Sequence, residues 1–123
     1  MNVNEKDLLL YAVTDRTWLG EKTLHQVVKE SLDGGVTFVQ LREKELDHDS
    51  FLEEAKDLKI LCAQYGVPFV INDNVKIAME MDADGVHVGQ KDLPAAVVRA
   101  MIGKDKILGL SVSNVQEAID CDT

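Results

Sequence analysis

Several features that would classify a chain at a glance are missing or scarce. There are two cysteines, two prolines and only 5% aromatic residues in 123 positions. Cys62 and Cys121 fit no metal-ligand spacing, which argues against a zinc site and leaves a reduced, cytoplasmic chain as the expectation. No apolar run nears the roughly 20 residues that cross a bilayer, so no membrane association is expected. Met1 to Asp7 is polar, unlike a secretory leader. Basic residues are in deficit, 13 against 22 acidic for a formal charge of −9. That balance argues against a general nucleic-acid binder and leaves phosphate binding only to a local cluster of cations. The glycines follow neither the P-loop nor the dinucleotide-binding spacing. A Ser–His–Asp set cannot be read from residue order alone.

What is present is a strict alternation. Leu8 to Val13 is a short, nearly all-apolar run, as expected of a strand covered on both faces. Leu24, Val27, Val28 and Leu32 then recur at helical spacing, with Thr23 and Gln26 as a capping box and Gly34-Gly35 as the stop. Val36 to Leu41 reads as a second strand. Ser50 with Glu53 is placed to cap a helix whose buried stripe is Phe51, Ala55, Leu58, Cys62 and Tyr65. Val67 to Ile71, Gly85 to Val88 and Lys106 to Leu110 read as strands three to five. Helices are predicted over Asn74 to Met81, from Pro94 to about Ile102, and from Ser113 and Gln116 onward. The motif Gly-Val-x-x-x-Gln occurs at Gly35 and again at Gly85, a faint internal repeat.

Alternating β/α units imply parallel strands with right-handed crossovers, an α/β fold in a single domain over residues 1–123. Two architectures accommodate five such units. An open doubly wound sheet is complete at this length, which favours it slightly on pattern alone. The alternative is part of a (β/α)₈ barrel, whose full size is about 200 residues or more.

In either architecture ligands bind at the C-terminal strand ends, and polar residues gather there. Gln40, Arg42 and Lys44 share one parity after strand two, a set suited to an oligophosphate. The competing reading is a solvated charge run paired through Glu43 or Glu45. Asp73 and Asp92 end adjacent strands, where two hard carboxylates can hold one Mg²⁺ and leave its other positions to water and phosphate. Each could equally serve as a local helix cap. Asn72 can meet an amine edge or make an Asx turn. Ser111 and Ser113 can donate to phosphate, or Ser113 can cap the last helix. His87, inside strand four, reads more readily as a core group than as a ligand.

Together Tyr11-Ala-Val-Thr-Asp15, Gln40-Leu-Arg-Glu-Lys44, Ile71-Asn-Asp73, Ala83-Asp-Gly-Val-His-Val-Gly-Gln90 with Asp92-Leu-Pro94, and Leu108-Gly-Leu-Ser111 resemble the thiamin phosphate synthase family, in that order. The resemblance runs from Leu8 to Ile119 and implies the barrel: about five of the eight units of a TIM (β/α)₈ fold. It implies a transferase of thiamin biosynthesis that condenses hydroxymethylpyrimidine pyrophosphate with thiazole phosphate, giving thiamin phosphate and pyrophosphate. The resemblance also assigns Gln40, Leu41, Arg42, Glu43, Lys44, Asn72 and Ser111 to substrate. It further implies that Arg42, Lys44 and Ser111 act in catalysis and that Asp73 and Asp92 are Mg²⁺ ligands. No general base is needed for an already nucleophilic thiazole nitrogen.

The family continues with a Thr-x-Thr-Lys segment and glycine-rich phosphate loops that have no counterpart before Thr123. A truncated chain, inactive alone, is therefore expected, with self-association through exposed barrel edges as a further expectation. Three other readings compete. One is a thiazole tautomerase-like barrel, which does not need the pyrophosphate set. Another is a non-catalytic phosphate-binding or oligomerising module. The third is an open α/β signalling domain built on Asp15 and Asp73, into which Arg42 and Lys44 fit badly.

Overall fold

Short polar side chains begin most of the helices. In the computed structural model, which describes residues 3–121 apart from the Trp18 side chain, Thr23 and Gln26 exchange the two reciprocal bonds of a capping box. Helix α1 follows over Leu24–Asp33, buries Leu24, Val28 and Leu32, and stops before Gly35, whose φ is +109°. Helix α2 spans His48–Gln64 and starts earlier than Ser50 and Glu53 predict, because Asp47 is its N-cap and accepts from the Ser50 amide at 2.8 Å. Its buried stripe is Phe51, Ala55, Leu58, Leu61 and Cys62, whereas Tyr65 lies past the helix end at the surface. Helix α3, Val75–Glu80, is capped by Asn74, and α4, Ala95–Ile102, follows Pro94. Helix α5 is Val115–Cys121; Asn114, rather than Ser113, accepts from its Glu117 amide.

Five strands alternate with these helices: β1 (Tyr11–Val13), β2 (Phe38–Leu41), β3 (Phe69–Asn72), β4 (Gly85–Val88) and β5 (Ile107–Leu110). The predicted first strand is too long by three residues. Asn4 and Asp7 cap a 3₁₀ turn over Glu5–Leu8, and Leu9 and Leu10 remain exposed before pairing begins. Among the described residues β1 has a partner only on its β2 side, so residues that find no ladder there stay out of the sheet.

All neighbours are parallel and the sheet order is β1-β2-β3-β4-β5. A doubly wound sheet reverses its order at a switch point and carries helices on both faces. Here the order never reverses, which overturns the slight preference for an open sheet and gives the arc of a singly wound barrel. One sheet face, with Val39, Leu41, Phe69, Ile71, Val86 and Val88, packs with helix residues such as Leu24, Leu58, Ile77 and Val98 into the main core. Fully buried side chains such as Leu58, Ile77 and Phe69 each contribute about 1.5–3 kcal/mol from area removed from water. The alternate residues point the other way, where Phe38, Val70 and Ile107 form a small second cluster.

Side-chain bonds on that inner face climb diagonally. Tyr11 pairs with Phe38 in the ladder, yet its hydroxyl accepts from Gln40, two residues on. Gln40 pairs with Val70 but accepts from Asn72, and His87 pairs with Gly109 but bonds Ser111. A constant two-residue step per contact is the stagger that tilted barrel strands produce. Two glycines make this face possible. A Cβ at Gly85 would meet the Ile107 carbonyl oxygen at 2.1 Å, and one at Gly109 would meet His87 Nδ1 at 2.3 Å.

Candidate active site

The rim at the C-terminal strand ends is built from neighbouring backbone turns. Thr14, just past β1 and buried, accepts from the Arg42 amide at 2.9 Å through Oγ1, while its own amide donates to Gln40 O. This ties the segment leaving β2 to the end of β1. Asp73 follows β3 with φ +66°, a left-handed conformation that Asp tolerates better than most residues but that still costs energy. Its amide donates to His87 O at 2.8 Å, which holds the turn against the end of β4. Asp92 closes the loop after β4 by accepting from the Gly89 amide at 2.7 Å.

These turns bring Lys44, Asp73 and Asp92 together. Lys44 Nζ donates to Asp73 Oδ2 at 2.9 Å. The Asp92 carboxyl is held below the usual range chiefly by the Gly89 N–H, with the charge of the nearby Lys44 helping against partial desolvation. Asp92 is therefore an anion near neutral pH. The capping alternatives for both acids are not realised. Helix α3 is capped by Asn74, α4 has Pro94 at its N-cap without a side-chain bond, and the Asp73 carboxylate faces Lys44 instead.

The predicted charge run after β2 divides in two. Arg42 and Lys44 are exposed, and the Arg42 charge helps lower the titration of Asp15, whose carboxylate chiefly accepts from Thr17. Together with Arg16, Thr17 and Glu43 they line a cleft of about 250 Å³. Leu41 is fully buried in the main core and the Glu43 side chain is only 2% exposed against Arg16. The Leu41 side chain is thus turned into the core, and the Glu43 side chain reaches the cleft as the partner of Arg16. Glu43 does not neutralise its cationic neighbours, as the charge-run reading supposed; it is spent on Arg16.

Gln40 and Asn72 meet on the inner face. Asn72 Nδ2 donates to Gln40 Oε1 at 2.8 Å and Gln40 Nε2 donates to the Tyr11 hydroxyl at 2.9 Å. The Asx-turn alternative for Asn72 gives way to this cross-strand bond. Ser111 Oγ lies 2.7 Å from His87 Nε2, and Gln90 donates to the Ser111 carbonyl. Burial pushes the His87 pKa down, opposed by the charge of Asp73, so the ring is held neutral. Tyr11, Thr14, Arg16 and Gln90 are supporting residues; Tyr11, Thr14 and Gln90 stand in the motifs that carry the resemblance but had no role assigned, and Thr14, Arg16 and Gln90 lie in the segments that leave β1 and β4.

The donor set suits a hard divalent cation. Among the described residues no group of three or more His, Cys, Asp or Glu side chains is assembled. Two neighbouring carboxylates are what Mg²⁺ uses when phosphate oxygens and water complete its shell. Likewise no helix among the described residues is long and apolar enough to cross a membrane.

Comparison with known proteins adds the following. The sequence profile described as thiamine monophosphate synthase matches residues 10–122. The chain is 50% identical over 116 residues to the thiamine-phosphate synthase of Clostridium botulinum (strain Eklund 17B / Type B), covering 94% of this chain and 54% of that protein. It is 52% identical over 113 residues to the thiamine-phosphate synthase of Desulfitobacterium hafniense (strain DSM 10664 / DCB-2), covering 92% and 55%. Among solved structures, thiamine phosphate pyrophosphorylase from Pyrococcus furiosus superposes with a TM-score of 0.86 at 35% identity, over 95% of this chain and 56% of that one. The chain thus spans about half the length of the curated relatives it matches.

Proposed function

The chain belongs to the thiamine monophosphate synthase family, and we propose that it carries the pyrimidine-pyrophosphate half of a thiamin phosphate synthase site. The whole enzyme would join hydroxymethylpyrimidine pyrophosphate to thiazole phosphate, releasing pyrophosphate. The observation that carries this reading is the Lys44–Asp73–Asp92 cluster, in which neither acid is occupied as a helix cap.

Each residue then has a separate task. Arg42 and Lys44 present positive charge to the departing pyrophosphate, where preorganised charge lowers the barrier to bond breaking. Asn72, whose amide nitrogen is engaged with Gln40, keeps its carbonyl oxygen as an acceptor for an aminopyrimidine edge. Gln40 is fixed between Tyr11 and Asn72 and orients that acceptor. Ser111, held by His87, donates or accepts at the opposite rim. Asp73 and Asp92 would hold Mg²⁺, which supplies further neutralisation of phosphate charge when bound. Two unpaired cysteines, one buried and one exposed, agree with a reducing cytoplasmic compartment. The 123-residue chain is expected to bind the pyrimidine pyrophosphate, and to self-associate through its open edges.

Calorimetric titration with hydroxymethylpyrimidine pyrophosphate, with and without Mg²⁺, tests the reading. Affinity should rise on adding Mg²⁺, and Asp73→Asn should remove at least about tenfold of that rise. A thiazole tautomerase-like barrel would show no metal-dependent binding of this ligand. Equal binding by wild type and Asp73→Asn would take Asp73 out of the site.

A further inference from the structure

Arg16 follows β1 and lines the same cleft as Arg42 and Lys44, but its guanidinium is engaged by carboxyl groups. It belongs to a 3₁₀ turn, Arg16–Trp18, capped by Asp15. Its Nε donates to both oxygens of Glu43, at 2.8 and 2.9 Å, and its terminal nitrogen donates to Glu54 on α2. Glu43 is nearly inaccessible, Glu54 is mostly covered, and Glu54 Oε1 is buried with no hydrogen-bond partner among the described residues. One guanidinium thus faces two carboxyl groups. Desolvation and the neighbouring Glu43 raise the Glu54 pKa to about 7, Arg16 opposing, so the cluster approaches neutrality by keeping a proton.

The placement of Glu43 gives this cluster its significance. Glu43 stands between Arg42 and Lys44 in the loop that follows β2. Tying the Glu43 carboxylate to Arg16 therefore fixes the backbone from which both cations project. Thr14 holds the same segment by the Arg42 amide, while Arg16 and the neighbouring Glu54 hold the Glu43 carboxylate. Arginine matters here because it meets the two carboxyl groups through two different nitrogens, Nε for Glu43 and a terminal nitrogen for Glu54, where a lysine has one.

We infer that Arg16, acting through Glu43 and Glu54, is a positioning residue that sets Arg42 and Lys44 for a diphosphate ligand. The inference rests on the reading of Arg42 and Lys44 given under Proposed function.

A double-mutant cycle with inorganic pyrophosphate and Mg²⁺ as the probe separates positioning from simple support of the fold. The 123-residue chain, Arg16→Lys, Arg42→Ala and the double variant are titrated calorimetrically, and the fold of each is checked by circular dichroism. Glu43→Gln, which keeps the shape of the side chain, is cycled in the same way should Arg16→Lys not fold. Arg42→Ala should weaken binding at least about tenfold, and Arg16→Lys or Glu43→Gln by several-fold. The second loss should be smaller in the Arg42→Ala background, because only Lys44 is then left to position. Undiminished binding by folded Arg16→Lys and Glu43→Gln, or losses that add fully to that of Arg42→Ala, would overturn the inference while leaving the diphosphate site standing. Binding unaffected by Arg42→Ala would overturn the site itself, and this inference with it.

Discussion

Arg42, Glu43 and Lys44 are adjacent, similar in length and all charged, yet the outer two are exposed and Glu43 is nearly inaccessible. The difference is the Arg16 ion pair, and it sets a pH prediction for the buried member's partner. Glu54 titrates at about 7 in the folded chain against an ordinary 4.5. Between those values the folded state holds a proton that the unfolded chain has released, so stability falls as pH rises through this window and the penalty is complete above about 7. Glu54→Gln is neutral throughout. Relative to wild type it should gain on the order of 1–2 kcal/mol between pH 5 and pH 8, after allowance for solvent screening at its partly open edge. Urea denaturation at the two pH values measures this, and a constant difference would contradict it. The proximity of Glu43 and Glu54 could not be read from sequence, because Arg16 from a third element draws the loop and the helix together. By contrast Asp73 and Asp92 were legible as candidates from their places after strands. What the pattern could not decide was whether they cap helices, since Asn74 stands one residue from Asp73 and takes that task.

At the scale of the element, helix α2 shows which signals suffice. Its stripe of Phe51, Ala55, Leu58 and Cys62 is written in helical spacing and all four are buried. Leu58→Ala should cost about 2–5 kcal/mol, since Leu58 is fully enclosed and the void cannot be filled freely. Ile60 on the same helix is 62% exposed, and Ile60→Ala should stay within about 0.5 kcal/mol. Chemical denaturation of the two variants side by side checks the contrast. Strand β4 matches its predicted bounds, Gly85 to Val88, because Gly and the following polar loop mark both ends. The first strand does not, because hydrophobicity in Leu8 to Leu10 reports burial need and not pairing; the 3₁₀ cap at Asn4 is a stronger local signal than the apolar run. The start of α2 was misplaced for a related reason, with two adequate cap candidates, Asp47 and Ser50, three residues apart.

For the whole molecule, strand order was the decisive unknown. Alternating β/α units fit both an open and a barrel sheet, and only long-range pairing distinguishes them. The arc leaves β1 and β5 each with one paired side among the described residues, and Leu8, Tyr11, Val13 and Leu110 border the concave face or its edge without full cover. Edges and apolar surface of this kind favour pairing with another chain. Sedimentation of the 123-residue chain should therefore give a mass above 13.6 kDa that grows with concentration, and a well-ordered monomer at all concentrations would contradict that expectation.

The claim on which the function rests is that Asp73 and Asp92, from two neighbouring strand ends, take one cation together with a diphosphate. Electron paramagnetic resonance with Mn²⁺ in place of Mg²⁺ tests it directly. With inorganic pyrophosphate present, protein-bound Mn²⁺ should show phosphorus coupling, and Asp73→Asn combined with Asp92→Asn should abolish the bound signal. A bound signal of equal strength in that double variant, or a spectrum identical to Mn²⁺–pyrophosphate free in solution, would contradict the shared site.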